Sequence, residues 1–320
     1  MPHKVFITRR IPEEGLVILK DAGIDYEVFS HAFTPATRED IVTGMEGCDG
    51  IITLLSDTID EGLLRENPDL RIVSQYAVGY NNIDTATAKE LGITVTNTPG
   101  VLTEATADLT WGLILSAARW IVTSDKFIRD KRFQGWAPLL QRGMEMYGRT
   151  LGIVGAGRIG AAVAKRATGF GMDIIYHNRN RNLELEEETG ATYVSFDELV
   201  ERSDVLSVHT PLTPETRHLF TEREFNMMKN TAVFVNTSRG PCVDEAALLT
   251  ALRTGEIFAA GLDVYEREPE YLEGLQELDN VVMVAHIGSA TMKSRADMAI
   301  IAAQNLVNFY EGKEPEFKVV

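Results

Sequence analysis

Short apolar runs rich in β-branched residues alternate, along most of the chain, with stretches whose apolar positions recur every three to four residues. VFIT (5–8), GIITLL (50–55), RIVSQY (71–76) and ITVTN (93–97) read as buried strands. Between them, 13–22 and 85–91 are amphipathic, and each is followed closely by a glycine, a common mark of a helix end. A stronger alternation begins at Thr150. TLGIVGAG runs from a strand into a glycine turn and 158–169 has a helical period. DIIYHN, VLSVHT, AVFVNTSRG, GLDVY and VVMVAH then follow as strands, with helices between most of them. Strand–helix alternation builds parallel sheets covered by helices. Two such blocks predict an α/β chain of two doubly wound parallel-sheet domains with an interdomain cleft, where ligands commonly bind.

Three stretches stand apart. The apolar run 109–122 (LTWGLILSAARWIV) is too short to cross a bilayer and carries Arg119, so it reads as a buried helix. Residues 127–148 have mixed charge, poor periodicity, Trp136 and Pro138. Such an arm is expected to pack on another subunit, the alternative being a loop folded on its own domain. The acidic patch 184–188 (ELEEE) reads as a solvated helix face. No period of 20–50 residues recurs.

The chain has 320 residues, room for two ordinary domains. At 44% hydrophobic and 24% charged it is unlike a disordered, collagenous or coiled-coil sequence. A net charge of −16 argues against nucleic acid or an anionic membrane surface as a partner, though a local basic pocket can survive inside such a surface. Cys48 and Cys242 are too few for a disulfide framework or a four-ligand zinc site. No metal is expected. MPHKVFITRR lacks the apolar run of a secretory signal, and the expected location is the cytoplasm.

Gly155-Ala156-Gly157-Arg158-Ile159-Gly160 is G-x-G-x-x-G between a strand and a helix, the context that makes this pattern a dinucleotide fingerprint. The first glycine permits the tight turn, the second lets the backbone approach a pyrophosphate, and the third lets helix and strand pack closely. NAD sites usually place a carboxylate at the end of the next strand to hold the ribose 2′-hydroxyl. Here Asp173 stands at the start of that strand, and its far end reads Asn178-Arg179-Asn180-Arg181. Two guanidinium groups can pair with a 2′-phosphate, so NADP(H) is favoured, with NAD(H) tolerated.

Downstream, Asn236-Thr237-Ser238-Arg239-Gly240, Val264-Tyr265-Glu266-Arg267-Glu268-Pro269 and Ala285-His286-Ile287-Gly288-Ser289 each set a charged or titratable residue at a strand end. Hydride transfer to a 2-oxo acid leaves negative charge on oxygen, which needs a proton. His286 can donate it, Glu268 can orient the ring and favour the imidazolium, and Arg239 can grip the carboxylate and polarise the carbonyl. Cys242 reads as a small buried thiol. No carboxylate partner is evident for His3, His31, His177, His209 or His218, and His209 reads as a strand-end residue within reach of the dinucleotide.

These segments resemble the D-isomer-specific 2-hydroxyacid dehydrogenases, and within them the glyoxylate/hydroxypyruvate reductases. The resemblance covers nearly the whole chain. It rests on AVGYNNID (77–84), NTPGV (97–101), the GAGRIG turn, VNTSRGPCVDEAAL, GLDVYEREP and AHIGSAT, and on the Arg239–Glu268 and Glu268–His286 spacings. It implies a flavodoxin-like substrate domain, 1–99 completed by 290–320, and a Rossmann cofactor domain, 100–289, with a dimerisation arm at about 127–148. By the same resemblance Arg239 binds substrate, Glu268 tunes the histidine and His286 is the proton donor. Leu54, Val78 and Gly79 contact the substrate. Gly155, Ala156, Gly157, Arg158, Ile159, Gly160, Asn178, Arg179, Asn180, Thr237, Ser238, Arg239, Asp263, His286, Ile287 and Gly288 line the cofactor, Asp263 beside the carboxamide. A homodimer is implied, with Trp136 a candidate to reach the partner's active site. The expected partner molecule is a small 2-oxo acid. A D-lactate or D-3-phosphoglycerate dehydrogenase, or a dinucleotide-sensing corepressor, stands as the alternative. Glu268 argues against formate dehydrogenases, which pair the histidine with glutamine.

Overall fold

The computed structural model describes residues 3–31 and 33–320, and the chain divides into two compact units, 1–102 with 289–320, and 103–288. The first is built from β1 (Lys4–Ile7), α1 (Glu13–Asp21), β2 (Asp25–Val28), α2 (Arg38–Gly44), β3 (Gly50–Thr53), α3 (Glu61–Glu66), β4 (Ile72–Gln75), α4 (Thr85–Glu90) and β5 (Thr94–Thr96). The second runs through α5 (Thr103–Ala118), α6 (Ile121–Arg129), β6 (Thr150–Val154), α7 (Arg158–Ala167), β7 (Asp173–His177), α8 (Leu183–Thr189), β8 (Thr192–Tyr193), α9 (Phe196–Arg202), β9 (Val205–Val208), α10 (Glu222–Met227), β10 (Val233–Asn236), α11 (Glu245–Thr254), β11 (Ala259–Leu262) and β12 (Val281–Met283). The last helix, α12 (Met292–Tyr310), returns to the first unit and packs on α1.

Both sheets are parallel throughout. The smaller has the order β2-β1-β3-β4-β5 and the larger β12-β11-β10-β9-β6-β7-β8. The larger order is that of a doubly wound dinucleotide fold, whose first strand lies beside both its second and its fourth. In such a sheet the central strands are covered on both faces, which is why β3, β4, β9, β10 and β11 bury every residue. One face of the larger sheet packs Trp111, Ile114 and Val163, the other Phe220, Phe225 and Phe234. Each such side chain contributes about 1.5–3 kcal/mol on burial.

The apolar run 109–122 does not form one buried helix. α5 ends at Ala118, Trp120 adopts φ 58°, and α6 starts anew with Ile121 and Val122 exposed. The break is held from outside. Met144 N–H donates to the Ala118 carbonyl at 2.9 Å and Trp120 Nε1 to the Arg142 carbonyl at 3.1 Å, so the returning chain takes up a carbonyl the helix would otherwise use and ties down the residue at the break. α6 also claims Phe127–Arg129, the first residues of the arm. Trp136, Leu139 and Tyr147 are 85%, 73% and 82% exposed on the rest of it. Among the described residues, no helix is long and apolar enough to cross a membrane.

Candidate active site

At the carboxyl edge of the larger sheet, β6 enters the glycine turn. Gly155 has φ +95°, where L side chains are strained, and a Cβ there would lie 2.8 Å from the His209 backbone. A Cβ on Gly160 would strike the Gly155 carbonyl at 2.1 Å, so α7 closes on the strand only with glycine at that position. Gly157, at the N-terminus of α7, is exposed, a Cβ there would meet nothing within 4 Å, and Arg158 beside it is exposed too. A cradle that is closed by two glycines and open at the third, over the unpaired amides of a ten-residue helix, fits a dinucleotide pyrophosphate.

The three charged strand ends lie in the same unit. His286, itself at φ 52°, is bonded through Nδ1 to Glu268 Oε2 at 2.7 Å, and both side chains are about one-third exposed (32% and 34%). Glu268 Oε1 accepts the Tyr265 N–H at 3.0 Å. Burial alone would raise the Glu268 carboxyl. The hydrogen bond and charge of His286, the Tyr265 amide and Arg239 together bring it below the ordinary glutamate value. Arg239 feels burial first, which lowers its guanidinium, while the Glu268 charge acts the other way. Their segments touch, for a Cβ on Gly240 would sit 1.8 Å from the Tyr265 carbonyl oxygen. Only a glycine after Arg239 lets the two loops come together.

Two residues behind the site hold its loops. Asn236 ends β10 and closes the 237–239 turn, donating from Nδ2 to the Arg239 carbonyl at 2.9 Å and accepting the Ser238 N–H at 3.0 Å. Asp263, 1% exposed, accepts the Ile287 and Gly288 N–H groups at 2.6 and 2.8 Å, so its carboxylate anchors the loop that bears His286. The Thr237 hydroxyl lies 2.9 Å from that of Thr110.

Residues 111–288 match the family described as D-isomer specific 2-hydroxyacid dehydrogenase, NAD binding domain. The chain belongs to the D-isomer-specific 2-hydroxyacid dehydrogenases. It is 49% identical over 319 residues to a glyoxylate reductase of Thermococcus litoralis, covering 98% of this chain and 96% of that one. It is 50% identical over 317 residues to a glyoxylate reductase of Aeropyrum pernix, covering 98% and 94%. Among solved structures it resembles an NADPH-dependent glyoxylate/hydroxypyruvate reductase from Sinorhizobium meliloti in complex with NADP and malonate, with TM-score 0.89, 32% identity and coverage of 100% and 97%. Family membership makes it an oxidoreductase with a nicotinamide-dinucleotide domain.

Other parts of this dehydrogenase depart from the sequence reading. The patch 184–188 is not wholly solvated. Leu185 is buried, Glu186 bonds the Tyr176 hydroxyl at 2.5 Å, and the same carboxylate pairs with Arg181, Nε at 2.9 Å. Arg181 therefore carries a compensated charge, whereas Arg179 is exposed and has no carboxylate within ion-pair distance among the described residues. Two histidines that showed no partner in the sequence have one: His218 Nε2 meets Glu266 at 2.7 Å and His3 Nδ1 meets Asp49 at 2.6 Å. Those pairs span 48 and 46 residues, beyond any local pattern. His209 bonds Ser207 Oγ through Nε2 at 2.8 Å, and Cys242 is buried, its thiol pushed up by that burial.

Proposed function

We propose that the chain reduces glyoxylate and hydroxypyruvate to the corresponding 2-hydroxy acids, the D-isomer where the product is chiral, with NADPH preferred over NADH. The observation that carries this is the His286–Glu268 pair at 2.7 Å, with Arg239 on the abutting loop, in the unit that presents the glycine cradle. The relatives named glyoxylate reductase support the choice of substrate.

Gly155 to Gly160 would hold the pyrophosphate, and Asn178, Arg179 and Asn180 the adenosine ribose. Thr237, Ser238, Arg239, Asp263, His286, Ile287 and Gly288 would line the nicotinamide end. When bound, the reduced dinucleotide supplies the hydride that reaches the carbonyl carbon. Every other task falls to side chains. Arg239 neutralises the substrate carboxylate and draws electron density onto the carbonyl oxygen. His286 gives that oxygen its proton from Nε2, the ring nitrogen that Glu268 does not hold. Glu268 keeps the ring in register and stabilises its charged form. From the smaller unit, Leu54 and the Val78–Gly79 backbone are assigned to the substrate. The exposed apolar arm supports a homodimer, which sedimentation would read directly, and the two free, buried thiols Cys48 and Cys242 support a reducing, cytoplasmic location.

Absorbance at 340 nm, followed for NADPH and NADH separately with glyoxylate, hydroxypyruvate and pyruvate, tests the reading. Turnover of the first two with NADPH, abolished in His286→Ala, is expected. Faster turnover of pyruvate would favour a D-lactate dehydrogenase, and dinucleotide binding without any turnover would favour a sensing protein.

A further inference from the structure

The smaller unit buries polar side chains where a sheet is most easily apolar. Thr8, Thr53, Asp57 and Gln75 are each at most 2% exposed, and burial of such groups is costly unless they are bonded. They lie at or just past the C-terminal ends of β1, β3 and β4. The strand order of this sheet reverses between β1 and β3, the position at which open parallel sheets hold ligands.

The four form one network with Asn82. Gln75 Oε1 accepts from Thr53 Oγ1 at 2.6 Å, and its Nε2 donates to the Gly79 carbonyl at 3.1 Å and to Asn82 Oδ1 at 2.9 Å. Asn82 Nδ2 donates to the carbonyls of Leu54 at 3.0 Å and Asp57 at 2.8 Å. Asp57 Oδ2 in turn accepts from Thr8 Oγ1 at 2.5 Å and from the Leu54 N–H at 2.7 Å. Exchanging the oxygen and nitrogen of Gln75 would set two acceptors face to face at Gly79, so its amide has one orientation.

Three successive carbonyls of the loop after β4 are thereby held by protein donors. Ala77 accepts from the Thr98 N–H at 2.9 Å, Val78 from Asn97 Nδ2 at 2.8 Å and Gly79 from Gln75. A trans peptide points its N–H opposite its C=O. Fixing these carbonyls therefore turns the N–H groups of Val78, Gly79 and Tyr80 away from the donors, and no acceptor among the described residues takes them. Val78 and Gly79 are half-buried and Tyr80 is exposed. Adjacent unpaired N–H groups at a strand end receive anions.

We propose that Gln75 and Asn97 are positioning residues for the 2-oxo acid: their side-chain amides hold the Gly79 and Val78 carbonyls so that the Gly79 and Tyr80 N–H groups face the substrate carboxylate. This rests on the reading of the substrate given above. Asn97→Ala and Gln75→Met remove the donors without adding charge, and the milder Asn97→Ser replaces the amide by a hydroxyl one bond shorter. Steady-state rates would be compared for glyoxylate and for its uncharged ethyl ester. The expected result is a KM for glyoxylate raised roughly ten-fold or more, the scale of a lost hydrogen bond to a charged group. The kcat, the KM for NADPH and the ester's kcat/KM stay within about two-fold, because an interaction equal in ground and transition states acts on KM alone. An unchanged glyoxylate KM, or equal losses for acid and ester, overturns the proposal. If the parent chain turns over neither compound, the functional reading has failed on its own. Calorimetry with oxalate then decides the loop: weaker binding by Asn97→Ser supports it, and equal binding or none by the parent overturns it.

Discussion

At the carboxyl edge of the seven-stranded sheet the charged and titratable groups are side chains, Arg239, Glu268 and His286, on loops held by buried polar residues such as Asn236 and Asp263. At the same edge of the five-stranded sheet the available groups are main-chain N–H donors, turned outward by the amides of Gln75 and Asn97. The first edge is suited to moving a proton, because it contains groups that titrate. The second is suited to holding a charge in a fixed place, because peptide dipoles neither titrate nor rotate once their carbonyls are tied. The same parallel architecture thus presents titratable side chains at one edge and fixed main-chain donors at the other.

The largest test of that division is His286→Asn. Loss of the general acid is expected to lower kcat by ~10²–10⁴-fold while dinucleotide affinity, measured by fluorescence titration, changes little. Near-parental turnover in this variant would move the proton donor elsewhere and dissolve the contrast between the two edges. Next comes Gly240→Ala. Its methyl would have to push the Tyr265 backbone from 1.8 Å to a normal contact, separating the Arg239 loop from the Glu268 loop. Overpacking of this kind costs about 1–3 kcal/mol. A lower Tm together with a fall in kcat/KM is therefore expected. Gly157→Ala, which meets nothing within 4 Å, should leave Tm unchanged and weaken the dinucleotide instead, by ~10-fold or about 1.4 kcal/mol. Equal effects of the two substitutions on Tm would show that the cradle is no more open than the loop contact.

The same contrast explains how much of the molecule is legible in its sequence. Arg239, Glu268 and His286 announce themselves as charged residues at the ends of apolar runs, and Gly155 to Gly160 as a motif in context. Gln75 and Asn97 do not. Gln75 closes an apolar strand and Asn97 stands two residues before a proline, and every residue but proline has an N–H, so nothing local marks the Gly79 and Tyr80 amides. A role for this loop is legible only through resemblance to a family. Among the elements, β2 (DYEV) and the two-residue β8 escape a reading by hydropathy because edge strands are half exposed and carry polar residues. α2 and α3 are seven and six residues long, and the aliphatic residues of each are an adjacent pair, Ile41–Val42 and Leu63–Leu64, so neither shows the i, i+3 repeat that Ala88 and Leu91 give the 85–91 stretch of the equally short α4. Their caps are the available signal: Thr37 with Asp40 forms a capping box, and Asp60 accepts the Leu63 N–H at 2.9 Å. The break at Trp120 has no such signal, since hydropathy does not distinguish an apolar residue in a core from one on an exposed helix.

An effect of similar size sharpens the choice of dinucleotide. Arg181 is already paired with Glu186, while Arg179 is exposed. Arg179→Ala is expected to cost ~10-fold in kcat/KM for NADPH and little for NADH, and Arg181→Ala less than about three-fold for either, since a compensated exposed charge contributes little. Equal losses for both arginines would mean that the Glu186 pair opens when the dinucleotide binds.

A last test is one of pH, read on stability and not on turnover, and it separates the two edges by whether they can titrate. His209, whose backbone closes against Gly155, is pushed down to about 3 by burial of its ring. In the unfolded chain an imidazole takes its proton near 6.5. Below that pH the unfolded state binds a proton that the native state refuses, so stability is full above about 6.5 and declines as pH falls toward 3. The limiting slope for one proton is about 1.4 kcal/mol per pH unit. Replacing the ring by asparagine removes this proton from the balance. His209→Asn should therefore be less stable than the parent at pH 7, where it lacks the bond to Ser207, yet lose stability less steeply between pH 6.5 and 4 in urea titrations. Gln75→Met, in the edge built from amides, should run parallel to the parent over the same range. If His209→Asn also ran parallel, the His209 ring would take up its proton in the native enzyme as readily as in the unfolded chain.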